Sequence, residues 1–284
     1  MKRWLLAIIS IFIILLAACS DTATPSEDVP DEQESSLTAE EVYDKAMKQL
    51  DTLKSAAFNM TMEQTMDVDE DETITTKADV SGEMIEEPFM MHQNGSVMME
   101  SPAVGKMEIN IEMYAQDEVV YIYENLFNNW IKGTMNDLSD LGLEIGADQS
   151  PFSHIEGLEK FIDDFTFEQT NDTFTFNLET NSDEFQQLIM DELQDFQLEF
   201  GESKDLMEMI DIGELHYTFT IDKETFDMLS FSVDFEVTIE EDGETMTAES
   251  SIVADFSDFN EVGDITIPQD VIDEAVDPDD AFGF

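Results

Sequence analysis

Two spacings of apolar residues organise the chain. From Thr38 the first is helical: Val42, Ala46, Leu50, Leu53 and Ala57 recur at intervals of four, four, three and four, which lines them along one face of an α-helix. Thr38 with Glu41 has the form of a capping box, and Leu37 against Val42 that of a hydrophobic staple. The period then drops to two. Phe58, Met60 and Met62 alternate with polar residues, as do Ile74 to Met84 and Met107, Ile109, Ile111 and Met113. Val119 to Tyr123 and Asn129 to Ile131 continue as short strands. One buried and one wet side per strand is the mark of an antiparallel sheet.

The middle of the chain predicts helix with one strand pair. Ser153 and Glu156 form a capping box ahead of Leu158, Phe161, Ile162 and Phe165. Phe167 and then Phe174, Phe176 and Leu178 read as strands about a turn at Asn171-Asp172. Asn181 with Glu184 starts a third helix carrying Phe185, Leu188, Ile189, Leu193, Phe196 and Phe200, with Gly201 as its stop. Strands return with Tyr217, Phe219 and Ile221, then Phe231 to Ile239, a turn at Asp242-Gly243, and Met246 to Phe256. Pro268 suits the first position of a short final helix from Gln269 to about Ala275. No linker after residue 36 is long enough to divide this body. The pattern predicts one α+β domain over 37–276, a large curved antiparallel sheet with helices packed on its one apolar face, and a frayed acidic tail over 277–284.

The N-terminus changes the picture. Lys2 and Arg3 precede an almost wholly apolar run from Trp4 to Ala18, and Leu16-Ala17-Ala18-Cys19 is followed at once by polar Ser20 and Asp21. A charged start, an apolar run of roughly 15 residues and small residues before a cut describe a secretory signal, short of the ~20 residues that span a bilayer. The stretch resembles the lipobox of bacterial lipoproteins. That resemblance implies removal of residues 1–18 and acylation of Cys19, the only cysteine in the chain, so no intrachain disulfide can form. Two or more acyl chains hold a protein stably at about 0.8 kcal/mol per buried CH₂. The expected place is the extracytoplasmic face of a cell membrane. Residues 19–36, with Pro25, Pro30 and five acids from Glu27 to Glu34, read as a lipidated cysteine and a flexible tether, with a span of roughly 20–25 Å.

Charge excludes some partners. The chain carries 68 Asp and Glu against 11 Lys and Arg, a formal charge of −57. Nucleic acid is not expected as a partner, since binding it depends on neutralising phosphates with Lys and Arg, and anionic headgroups repel the body. Self-repulsion on this scale opposes a compact fold and is screened within about 8–10 Å at physiological salt, which suggests adaptation to a saline or alkaline exterior. An apolar fraction of 42%, with 21 Phe and 18 Met, nonetheless suffices for a core.

Catalytic constellations are missing. No Gly-x-Ser-x-Gly elbow, phosphate loop or metal spacing occurs, so no enzyme activity, cofactor or metal is expected. His92, His154 and His216 fall in different elements. Asp67, Asp69 and Asp71 have the alternate spacing of an EF-hand's first ligands, but Glu72 stands where its glycine belongs and Ala78 where its last Glu belongs. The segment reads as an acidic hairpin loop.

Behind its lipobox, the element order resembles the LolA/LppX-like superfamily of lipoprotein and lipid carriers, nearest to its uncharacterised Gram-positive branch. The likeness rests on Tyr43-Asp44-Lys45-Ala46-Met47 leading into Phe58 to Met62, on Val120-Tyr121-Ile122-Tyr123 followed by Trp130, on Tyr217 to Asp222 leading into Leu229-Ser230, and on Asp264 to Pro268. It implies an unclosed half-barrel whose concave apolar side is covered by helices and receives acyl chains. By that resemblance the protein binds or carries a lipid or other apolar ligand without catalysis. Met60, Met62, Met84, Met107 and Met113, flexible and polarisable residues suited to variable apolar partners, are the ligand-lining candidates with Phe219 and Phe235; the same residues also read as ordinary core. The alternative is a surface interaction or sensing module that meets a protein or wall polymer through its acidic sheet face.

Overall fold

The computed structural model describes residues 22–26, 34–69, 72–103, 105–125, 129–134, 152, 155, 157–182, 184–186, 188, 210–241, 244–278 and 281. Its strands are β1 (Thr24–Pro25), β2 (Ser55–Asp69), β3 (Glu72–Ile85), β4 (Met90–Ser101), β5 (Gly105–Gln116), β6 (Val119–Glu124), β7 (Asn129–Thr134), β8 (Thr166–Gln169), β9 (Thr173–Thr180), β10 (Ile210–Asp222), β11 (Met228–Glu241) and β12 (Glu244–Ser257). They form one sheet in the order β1-β8-β9-β10-β11-β12-β2-β3-β4-β5-β6-β7. Neighbours are antiparallel except β1 and β8, which run parallel. The fold is α+β with a large antiparallel sheet. The sheet is neither closed nor strongly curled.

Helix α1 (Ala39–Leu50) is capped as its sequence requires. Glu41 donates its backbone N–H to Thr38 Oγ1 at 3.1 Å, and Thr38 N–H returns to Glu41 Oε2 at 3.0 Å. Val42, Tyr43 and Ala46 are buried against the apolar sheet face. The segment expected as a helix from Ser153 is a 3-10 helix, Gly157–Asp164, burying Leu158, Phe161 and Ile162; Ser153, His154 and Glu156 lie outside the described residues. Tyr43 donates its hydroxyl to Ile155 O at 2.7 Å and so ties α1 to this second layer. For the next helix the structure moves the cap from Asn181 to Ser182, whose Oγ accepts from Phe185 N–H at 3.3 Å. The apolar positions from Ile189 to Phe200 lie outside the described residues.

Helix α1 ends at Leu50, so Leu53 lies beyond it and Ala57, expected on its apolar face, belongs to β2. Three further features depart from the sequence reading. Strand β4 has no period-two signature, because Met90, Met91, Met98 and Met99 place apolar side chains on both faces and Asn94-Gly95 sits in its middle. Helix α2 (Gln269–Glu274) packs on the polar side of the sheet, where Val271 joins buried Tyr114 and Tyr121, so the helices do not share one face. Residues 22–26, expected within the free tether, lie on the sheet: β1 pairs with Glu168 and Gln169, and Ala23 is buried.

Both edges of the sheet are thus covered in part. β1 flanks β8, and the chain after α2 flanks β7, with Lys132 N–H donating to Val276 O and Val276 N–H to Trp130 O, each at 2.9 Å. Such cover shortens the stretch of edge open to another strand.

Candidate functional site

The register sorts side chains into transverse rows. One row runs Phe167–Phe176–Phe219–Phe231–Ala254–Met60–Val80–Gly95–Ile111 across nine strands of the apolar face. Its first half is closed core: Phe176 and Phe219 are fully buried and stacked with ring centroids 4.4 Å apart. Its second half opens. Met60 is 36% exposed, and Val80 and Ile111 are half-buried. The next row, Val233–Ile252–Met62–Ala78–Val97–Ile109, repeats the trend, with Val233 buried and the others half-buried. Glu124 faces Ile111 at the far end of the first row, and burial raises its carboxyl above the ordinary range.

The seven proposed lining residues all fall on this face, but not in one place. Met84, Met113 and Phe219 are fully buried in the packed core. Met60 and Met62 stand side by side on the open half. Phe235 and Met107 occupy opposite ends of a further row, Phe235–Ser250–Gln64–Thr76–Met99–Met107. Cys19 lies outside the described residues.

A pocket of about 1140 Å³ opens where α1 meets the end of the β2–β3 pair. Tyr43, Met47, Leu50, Leu53, Ile85 and Phe152 supply its apolar wall, and none of the seven residues above lines it. Its lining includes Glu86, whose carboxyl is raised by burial first and by the charge of Glu87 second. The periodicity of α1 foretold its inner face, but the pocket depends on how far the 3-10 helix stands off, which no local pattern encodes.

The polar face carries its own cluster, absent from the sequence reading. His92 stacks on Tyr114 at 4.3 Å, Tyr114 approaches Trp130 at 5.8 Å, and Trp130 approaches Tyr123 at 5.6 Å. Tyr114 donates its hydroxyl to Glu112 Oε1 at 3.1 Å. Burial, then that hydrogen bond and the carboxylate charge, push the hydroxyl up to about 12. His216 lies 3.9 Å from Glu179 and 4.0 Å from Glu214 at the surface. Asp67 accepts from Thr73 Oγ1 across the acidic hairpin at 2.7 Å. Among the described residues no group of three or more His, Cys, Asp or Glu is placed to hold a metal, and no helix is long and apolar enough to cross a membrane.

No curated protein matches the chain at a significant level. A crystal structure of a beta-barrel-like protein of the domain of unknown function DUF1849, from Brucella abortus, is similar at 8% identity and a TM-score of 0.20, over 72% of this chain and 99% of that one. Residues 38–276 match the family of unknown function DUF6612, and the chain belongs to that family.

Proposed function

We propose that this protein is an extracytoplasmic lipoprotein, anchored through acyl chains on Cys19, that holds a lipid or other apolar ligand against the open half of its apolar sheet face. The observation that carries the reading is the band of exposed Met60 and half-buried Met62, Val80, Val97, Ile109 and Ile111, continuous with the core on one side. Contiguous apolar surface is costly to leave wet and marks binding sites. Its methionines give it the adaptability that acyl chains of varied length require. Under this proposal the face acts as the concave trough of a LolA/LppX-like half-barrel, and ligand binding involves no covalent step.

The docked N-terminal segment bears on the anchor. Thr22 bridges to Thr38, and Ala23 is buried. With acylation at Cys19, only three peptide units separate the lipid from the sheet edge, at most about 10 Å of chain. The body then stands closer to the headgroups than a free tether of residues 19–36 would hold it.

The test is mass spectrometry of the full-length protein isolated from its host membrane. The expected results are an N-terminal acylated Cys19, labelled by radioactive palmitate, and a co-purifying lipid. Delipidated protein should bind a fluorescent fatty acid, and Met60→Asp or Val97→Asp should weaken that binding at least tenfold. A retained leader overturns the anchor, and an absence of both co-purified lipid and fatty-acid binding overturns the carrier.

A further inference from the structure

The opposite, polar face carries a second surface, rich in amide and hydroxyl side chains. The register aligns Ser81, Asn94, Glu112, Tyr123 and Trp130 in one row across β3, β4, β5, β6 and β7. Beside it runs the row Asp79, Ser96 and Asn110. With Gly95 and Ile111, all of these residues except Trp130 line a shallow groove of about 440 Å³ that ends on Tyr123. Across the sheet from β3 to β6 are three inter-strand steps, about 14 Å at roughly 4.8 Å each, the length of a short oligosaccharide.

The side chains in the groove are of a particular kind. Asn amides and Ser hydroxyls donate and accept at once, as the hydroxyls of a sugar do. The side chains of Asp79, Ser81, Asn94 and Ser96 make no hydrogen bond among the described residues. Glu112 is held in place: its Oε1 accepts from the Tyr114 hydroxyl at 3.1 Å and lies 3.3 Å from His92 Nε2. Its Oε2 accepts nothing from the described residues and can take a ligand hydroxyl. Tyr123 closes the groove with a ring, and an aromatic face attracts the C–H face of a pyranose through its quadrupole and its apolar area. The hollow between β2, β10, β11 and β12 holds five carboxylates, Glu63, Glu214, Asp234, Glu236 and Glu249, beside Thr65, His216, Phe235, Ser250 and Ser251, and has no amide. The groove, with two asparagines and only two acids, Asp79 and Glu112, is the less acidic of the two and the one that bears amides.

We infer that this groove binds a neutral glycan, with Ser81, Asn94, Asn110 and Glu112 meeting its hydroxyls and Tyr123 stacking on a sugar ring. A formal charge of −57 repels anionic polymers such as polyglycerol phosphate, and the groove offers no apolar socket to anchor a peptide. The site is on the face away from the proposed lipid trough, so either can stand without the other.

The test is calorimetric titration of the full chain in detergent micelles with tetra-N-acetylchitotetraose, cellotetraose and polyglycerol phosphate. Saturable binding of at least one tetrasaccharide is expected, with a dissociation constant on the order of 10⁻⁴ M, and none of the polyanion. Asn94→Ala and Asn110→Ala alter exposed side chains and should each weaken binding about 3–10-fold, the value of one neutral hydrogen bond. Tyr123→Ala should weaken it by about tenfold; its circular dichroism spectrum shows whether the fold survives, and the asparagine variants decide the matter if it does not. Failure of both tetrasaccharides to bind, preference for the polyanion, or an unchanged constant for both Asn94→Ala and Asn110→Ala overturns the inference.

Discussion

Gln169 donates its side-chain amide to the carbonyl oxygen of Ala23, 146 residues earlier in the chain, at 2.9 Å. The same side chain accepts from Ser35 N–H at 2.8 Å and from Lys223 Nζ at 2.7 Å. Its backbone carbonyl accepts from Ser26 N–H at 2.9 Å. A single, nearly fully buried amide thus fastens both ends of the acidic N-terminal segment to the edge of the sheet. Lys223 is shifted below its ordinary value by burial, against the charges of Asp172 and Glu34, which is the expected cost of placing it there.

Gln169→Leu should therefore release the segment. The side chain keeps its approximate volume but leaves Ala23 O, Ser35 N–H and Lys223 without this partner, at about 1–3 kcal/mol for buried groups left unsatisfied. Faster proteolytic cleavage within residues 22–35 and loss of amide-exchange protection at Ser26 and Ser35 are the expected signs. Unchanged protection at both amides would show that the strap is held by something else.

Two glycines in the sheet should resist substitution for different reasons. A Cβ at Gly82 meets the Phe58 ring at 2.5 Å and His92 O at 2.8 Å, so an aromatic side chain occupies the space the glycine leaves. A Cβ at Gly95 meets Asp79 O at 2.2 Å and Val80 Cα at 2.8 Å, which are backbone atoms that cannot step aside. Overpacking of this kind costs about 1–3 kcal/mol. Gly95→Ala is expected to lower the denaturant midpoint more than Gly82→Ala, and Phe58→Leu should recover part of the loss in the latter alone, the contact with His92 O remaining. Equal losses for the two, with no rescue, would contradict the assignment.

Glu86 and Glu124 set a pH dependence. Burial raises both carboxyls in the folded state. Below the unfolded carboxylate value, about pH 4, both states are protonated and neither residue matters. As pH climbs from there through the raised folded value, the native state holds more protons than the unfolded one, so stability falls and stays lower above that window. Glu86→Gln and Glu124→Gln should raise the melting temperature at pH 7–8 and leave it unchanged near pH 3. A benefit that persists at pH 3 would point to packing in place of charge.

Salt should stabilise the whole molecule. With a formal charge of −57 and exposed ion pairs such as Lys77–Glu63 at 2.7 Å, which are worth about 0–1 kcal/mol, repulsion dominates the surface. Raising salt from 0.1 to 1 M shortens the screening length from about 10 to 3 Å, and the melting temperature should rise across that range. A flat or falling curve would remove the case for adaptation to a saline exterior.

What the sequence determined by itself was local. The capping box at Thr38 and Glu41 and the inner face of α1 are legible because each involves residues within one or two turns. Most long strands are legible because a side chain's face follows from its parity alone. β4 escaped because Met98 and Asn94-Gly95 break that parity. Tertiary structure decided everything that depends on partners distant in the chain. Which methionines are sealed, as Met84 and Met113 are, and which stay part-open, as Met60 does, depends on which stretch of sheet the helices cover. The N-terminal strap is set by Gln169, and the row from Ser81 to Trp130 exists only because five strands pair in one register. Periodicity tells a residue which way to point; only the packed chain tells it what it will meet there.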